Sequence, residues 1–347
     1  MIPQQYTVLI PHETRTRVAG YMATLREGKV LAGKRLKHNL TGIELAVLTE
    51  PYLIDALLNT KPPQIFAESE VAGDGSDWNL TELSILGDIS IALPVTIFDN
   101  GHHTAPVAHA EPFKGTLVFT PGALLRNGRS QKPADWFEVT LENNQLDHDG
   151  YNRLYERRLL PVFHYVNDTA KEKGRPAFVT MPGLGCGQFA GPFRGQLGVA
   201  LQTALVDFLK KHGASLPHLK AVYYDPFNEC TNSRQEIHGI SLMVRPLLQE
   251  NAEKSQLCLP TAYAEDGDDF SDCILFSIVA WDHVSWPGND YFGGSRCTDD
   301  GVKAAATDSM RALTGIEGHY DPHRGAYLPP PPYRTWGDVV LQNGLRL

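Results

Sequence analysis

The stretch from Ala177 to Tyr224 constrains the fold most. Ala177 to Met181 is an apolar run of strand composition, Pro182 to Gly191 is a glycine loop, Pro192 to Lys211 carries apolar residues at helical spacing, and Leu219 to Tyr224 is a second strand-like run. Strand, loop, helix and strand in that order are the grammar of a parallel α/β unit. Two further strand candidates follow at Ile240 to Val244 and Ile274 to Ala280, then a helix from Val302 to Leu313 that stops at Gly315. Upstream, Tyr151 to Lys173 reads as a helix, and Gly174-Arg175-Pro176 separates it from the first strand.

The N-terminal part has a different texture. Thr14 to Arg26 and Gly42 to Leu58 carry apolar residues three and four apart, and Lys61-Pro62-Pro63 stops the second of these helices. We therefore expect a helical appendage over residues 1–60 and one larger domain over 61–347. Between Gln64 and Glu142 short β-rich runs appear at Leu83 to Leu86, Ile89 to Phe98 and Thr116 to Phe119, punctuated by Gly, Pro and Asn. The tail carries Pro329 to Pro332 in sequence and is expected to be extended, since proline has no N–H for a central strand. No internal repeat is evident.

Composition narrows the partners. The 347 residues include 42% hydrophobic and 20% charged side chains, ordinary for a folded soluble chain, and the net charge of -9 argues against a nucleic-acid backbone as partner. No apolar run approaches bilayer length and the start lacks a basic region followed by a long apolar one, so we expect a cytoplasmic protein without a membrane partner. The five cysteines, Cys186, Cys230, Cys258, Cys273 and Cys297, form no C-x-x-C pair, which fits a reducing compartment. His102, His103 and His109 cluster near Gly101 and Pro106 and read as a solvated loop rather than a zinc site.

Glycines such as Gly183, Gly185, Gly187 and Gly191 let main-chain N–H groups approach an anion closely, and a helix N-terminus behind them adds partial positive charge. The loop lacks the Lys-[ST] pair of a P-loop. Gly185 to Ala190 fits G-x-G-x-x-A, but the acid that closes the next strand, Asp225, lies 40 residues after Gly185, where a dinucleotide site wants one after about 20. A packing turn with no ligand stays open as an alternative.

A second loop raises a different question. Val279 to Gly301 places four aspartates, four glycines and two tryptophans with a single basic residue directly after an apolar strand. Several acids beside a buried strand read as a site, although Asp299 or Asp300 could cap a helix from Val302, Asp290 could be a turn residue and Trp281 could be core.

Met181 to Gly191, followed by Ala200, Ala204 and Phe208 and by Ala221 to Tyr224, resembles the phosphate loop of macrodomains, which bind ADP-ribose. Ala280-Trp281-Asp282, Ser285 to Asp290, Gly294-Ser295-Arg296 and Thr298 to Thr307 resemble an arginine-specific class of macrodomain ADP-ribosyl hydrolases. This resemblance covers roughly Phe178 to Thr314. It implies a macrodomain-like mixed sheet flanked by helices, with rearranged segment order, because the aspartate loop follows the phosphate loop. It implies ADP-ribose binding by Gly183, Leu184, Gly185, Cys186, Gly187, Gln188, Phe189 and Gly191, with Phe189 by the distal ribose, Phe227 and Asn228 near the adenine, and Trp286 walling the site. By the same resemblance the functional acids are Asp282, Asp290 and Asp300: the first positions water or the ribose hydroxyls, the others hold the guanidinium and assist its protonation.

The expected function is removal of mono-ADP-ribose from arginine side chains of a protein substrate, with ubiquitin a carrier by analogy alone. No metal or other cofactor is expected, ADP-ribose being ligand and product. Such a bond breaks through an oxocarbenium-like transition state that carboxylates stabilise, and aspartates also attract a cationic guanidinium. Cys186 reads as a loop residue with a backbone role, not a nucleophile. The competing functions are a non-catalytic ADP-ribose reader and an enzyme acting on NAD or a nucleotide sugar.

Overall fold

The computed structural model describes residues 3–63, 76–98, 109–126, 131–251, 257–287 and 306–347. In chain order the elements are β1 (Thr7–Leu9), α1 (His12–Arg26), α2 (Lys34–Asn39), α3 (Glu50–Leu58), α4 (Leu80–Leu86), β2 (Ser90–Phe98), β3 (Phe113–Pro121), α5 (Trp136–Val139) and α6 (His148–Lys173). They continue with β4 (Ala177–Pro182), α7 (Leu197–His212), β5 (Leu219–Asp225), β6 (Ser233–Ile237), β7 (Ile240–Val244), β8 (Ile274–Trp281), β9 (Ala306–Thr307), α8 (Ser309–Thr314), β10 (His319–Asp321), β11 (Ala326–Leu328) and α9 (Trp336–Gln342).

One mixed sheet runs in the order β1-β2-β3-β8-β4-β5-β7-β6, with β9 also on β2. Its centre, β3-β8-β4-β5-β7, is parallel, and β1, β2, β6 and β9 pair antiparallel at the flanks. Residues alternate between the two faces of a strand. Leu275, Val279 and Trp281 of β8 therefore join one core with β2 and α1–α4, α8 and α9, while Phe276, Ile278 and Ala280 join a second core with α5–α7. The expected α/β architecture, a mixed sheet flanked by helices, is the one the chain forms. The late strand β8 inserts between β3 and β4, which is how a segment after the glycine loop reaches the middle of the sheet. Helices from the first sixty residues share the core with β2, β3 and β8, and β1 extends the sheet itself. Among the described residues, no helix is long and apolar enough to cross a membrane.

Several elements depart from the sequence expectation. Leu83 to Leu86 is helical, inside α4, because Asn79 and Glu82 form a capping box that nucleates a helix there. A four-residue apolar run cannot itself distinguish the two periods. The helix expected over 42–58 is confined to Glu50–Leu58, capped by Thr49, and α2 was not foreseen. The helix after the glycine loop begins at Leu197 rather than Pro192: Gln188–Phe193 forms a short 3₁₀ segment, and Gly195, at φ 85°, breaks it from α7. Of the helix expected over 302–313, residues 302–305 lie outside the described residues, 306–307 pair with β2 instead, and α8 starts at Ser309. Polar β6 and the β10–β11 hairpin carried too little apolar pattern to be read as strands.

Candidate functional site

The carboxyl ends of β3, β8, β4, β5 and β7 share one edge of the sheet, the place where open α/β sheets bind ligands. From this edge emerge the segments 122–126, 282–287, 183–191 and 226–229.

The glycine loop and the segment after β3 are in backbone contact. A Cβ added at Gly122 would lie 2.2 Å from the Gly185 nitrogen, and one at Gly185 would meet the Ala123 oxygen at 2.7 Å. Gly185 also holds a φ of 73°, which favours glycine. Tyr155 on α6 ties both strips together, its hydroxyl accepting from Ala123 N–H at 3.0 Å and donating to Leu184 O at 2.6 Å. Burial, reinforced by Cys186, pushes this phenol above its ordinary pKa, so it remains a donor. Leu125 N–H donates to Phe189 O at 2.8 Å, and Asp135 accepts from Leu124 N–H at 2.9 Å.

Between the two strips lies a cleft of about 500 Å³, lined by Leu125, Arg126, Gly187, Gln188, Gly191, Pro192 and Arg194. Arg126 Nη1 donates to Gln188 Oε1 at 2.9 Å. The sequence points to a helix N-terminus as the anion's charge partner. In the structure the start of α7 is taken by Glu229, whose carboxylate accepts from Gly195 N–H at 3.0 Å and Gly198 N–H at 2.6 Å. Arg126 and Arg194 supply the positive charge instead, two residues missed because they come from separate segments with no motif of their own.

The residues expected around a ligand are distributed unevenly. Leu184 and Cys186 bury their side chains, and their N–H groups donate to Pro182 O and Gly183 O. Gly183, Gly187 and Phe189 are half-buried and Gln188 is exposed. Phe227 is 43% exposed at a left-handed φ of 62°, and Asn228 beside it is exposed. Asp225 Oδ1 fixes this turn, accepting from Phe227 N–H at 2.8 Å and Leu247 N–H at 2.9 Å. Leu248, 59% exposed, donates its N–H to Phe227 O and lines up a second apolar side chain there.

Asp282 leaves β8 half-buried. Its Oδ1 accepts from Val284 N–H at 2.9 Å and Ser285 N–H at 2.8 Å, and its Oδ2 from Ser285 Oγ at 2.6 Å. The carboxylate is thus fixed by its own turn, with lone-pair capacity left on Oδ2. Lys61 is buried under this turn, donating to His283 O and standing 4.2 Å from the centre of the Trp281 ring. Burial lowers its pKa to about 7 against the opposing charge of Asp282. His283 sits at φ 64°, and among the described residues neither its buried Nδ1 nor the buried Trp281 Nε1 has a hydrogen-bond partner. Burial, then Lys61, hold the imidazole pKa well below its usual range. Strain and unpaired polar atoms together are a common mark of functional turns.

The glycine loop, Phe227, Asn228 and Asp282 therefore share one edge, although Asp282 does not line the 500 Å³ cleft itself. Trp286 is buried in the core, its main-chain N–H donating to Pro62 O at 3.0 Å, and it is not among the residues that line the cleft. Asp290, Asp299 and Asp300 lie outside the described residues, as do His102, His103 and Cys297. Lys61 gave no sequence signal beyond the end of a helix.

A family model described as macrodomain effector MavL matches residues 6–333 of the chain, taking in the N-terminal segment as well as the two loops. No curated protein matches it.

Proposed function

The chain belongs to the macrodomain effector MavL family, and from that premise we propose that it hydrolyses the bond between ADP-ribose and arginine side chains of cytoplasmic proteins, ubiquitin among the candidate carriers. The observation that carries this reading is the cleft at the carboxyl edge, with glycine main chain and two arginines on its walls and Asp282 emerging from the neighbouring strand β8. Arg126 and Arg194 suit a diphosphate, and the exposed ring of Phe227 offers a face for adenine.

In the proposed reaction water attacks the anomeric carbon of the distal ribose. The C–N bond breaks with its electron pair going to the guanidinium nitrogen, which takes up a proton, and ADP-ribose and arginine leave. Asp282, already oriented by Ser285 and two main-chain donors, would accept from the water or a ribose hydroxyl through Oδ2. Asp290 and Asp300 would hold the cationic leaving group.

The test is release of ADP-ribose from proteins modified on arginine, glutamate or serine, by wild type and by Asp282→Asn, which keeps the Oδ1 acceptor of the turn. Release from the arginine substrate alone, reduced at least about 100-fold in the variant, is the expected result. No release from any of the three would leave a non-catalytic reader of ADP-ribose.

A further inference from the structure

A second cleft, of about 730 Å³, opens at the opposite edge of the sheet, where β3 and β8 begin. It falls in the size range of small-molecule sites. Lys114 at the start of β3, Lys173 at the end of α6, Arg175 just before β4 and Arg311 on α8 all line it, and no carboxylate does among the described residues.

Among the described residues, one of these cations has a direct ion pair. Arg311 pairs with Asp308 at 3.0 Å. Lys114 Nζ instead donates to the Thr96 hydroxyl at 2.6 Å, which donates in turn to Asp308 Oδ2 at 3.0 Å, so this lysine meets that carboxylate only through the hydroxyl. Arg175 donates to the main-chain oxygens of Asp272 at 2.8 Å and Cys273 at 3.1 Å, which orients its guanidinium without cancelling its charge. Lys173 has no ion pair among the described residues. Lys220, Asp269 and Asp272 lie close enough to bear on Cys273 at the cleft wall, and Asp269 turns its carboxylate to Ser271. Three cations in one concavity with no direct ion pair among the described residues, in a chain with net charge -9, make a local positive potential. The wall also has an apolar side, with Val95, Leu259 and Leu275.

We propose that this amino-edge cleft is a second binding site, for a small organic molecule that carries at least two phosphate groups beside an apolar moiety. It is separate from the carboxyl-edge cleft by the length of β3 and β8, and its ligand touches none of the groups assigned to hydrolysis. The proposal does not rest on the hydrolase reading. A soluble metabolite and a phosphorylated lipid headgroup share the required chemistry.

The test compares wild type with Lys114→Ala/Lys173→Ala, both exposed positions. Inorganic pyrophosphate binding is measured by calorimetry, with and without excess ADP-ribose. Phosphatidylcholine vesicles with and without phosphatidylinositol bisphosphate are tested in sedimentation. A pyrophosphate site that persists in excess ADP-ribose and weakens at least about tenfold in the double variant is expected, since two charge-assisted contacts are lost. Sedimentation with the bisphosphate vesicles that is lost in the double variant would identify the headgroup as the source. Pyrophosphate binding without sedimentation would identify a soluble ligand. Absent pyrophosphate binding, or binding within twofold in wild type and variant, would overturn the proposal.

Discussion

Replacing Arg158 with alanine is expected to destabilise the fold by about 3–5 kcal/mol, the usual cost of leaving buried charges without their partner. Arg158 on α6 is fully buried. Its Nε lies 3.2 Å from Asp88 Oδ1, its Nη2 2.7 Å from Asp135 Oδ1, and Nη1 donates to Pro121 O at 3.4 Å. Gly87 makes room for it, since a Cβ there would stand 2.9 Å from Nη2. Asp88 keeps other partners in Thr14, Arg17 and Arg157. Asp135 does not have that reserve, and it is the acceptor for Leu124 N–H in the strip that walls the carboxyl-edge cleft. Urea unfolding reads the loss. A change below about 1 kcal/mol, the scale of an exposed pair, would show that this network is not the support of the cleft.

Lys61→Met is expected to remove a rise in stability with pH. The folded-state pKa of Lys61 is about 7 against an ordinary value of 10.5. Below pH 7 the amine is protonated in both the folded and the unfolded chain, and above 10.5 it is neutral in both. Between those limits the unfolded chain holds the additional proton, so raising the pH favours the folded state. Each pH unit in that window is worth about 1.4 kcal/mol. From pH 7 to 9 wild type should therefore gain about 2–3 kcal/mol relative to Lys61→Met, measured as urea unfolding free energies. Parallel pH profiles would contradict the assignment of a buried, depressed amine. The same titration changes the charge beside Asp282, so the turn that carries the proposed water-positioning acid sits next to the group that titrates.

The parts of this fold that were legible in sequence are those with a strong local cause. Strands β4, β5, β7 and β8 are apolar on both faces because helices cover both sides, and such runs stand out. The glycine loop stood out because backbone contact with Gly122 and Ala123 excludes side chains at Gly185. Failures came where a residue outside the apolar run itself decides. Pro192 looked like a helix start, but the carboxylate of Glu229 caps the helix from Leu197. Leu83 to Leu86 looked like strand until the Asn79 and Glu82 cap is considered. In the site, Asp282 was legible as an acid after a buried strand. Arg126, Arg194, Lys61 and Tyr155 were not, because each reaches the carboxyl edge from an element whose own pattern says only helix, loop or strand end.

Binding of free ADP-ribose to wild type and to Gly191→Ala, followed by calorimetry with unfolding checked in parallel, decides whether the carboxyl-edge cleft takes ADP-ribose. Gly191 lies at φ 55°, and a Cβ there would meet the Leu125 oxygen at 2.5 Å, so the variant must part the two strips that form the cleft. The expected result is ADP-ribose binding at the carboxyl edge in wild type that weakens at least about 100-fold in a variant that still folds, roughly 3 kcal/mol of binding. Folded wild type that does not bind ADP-ribose, or a variant that binds as wild type does, would contradict a carboxyl-edge ADP-ribose site.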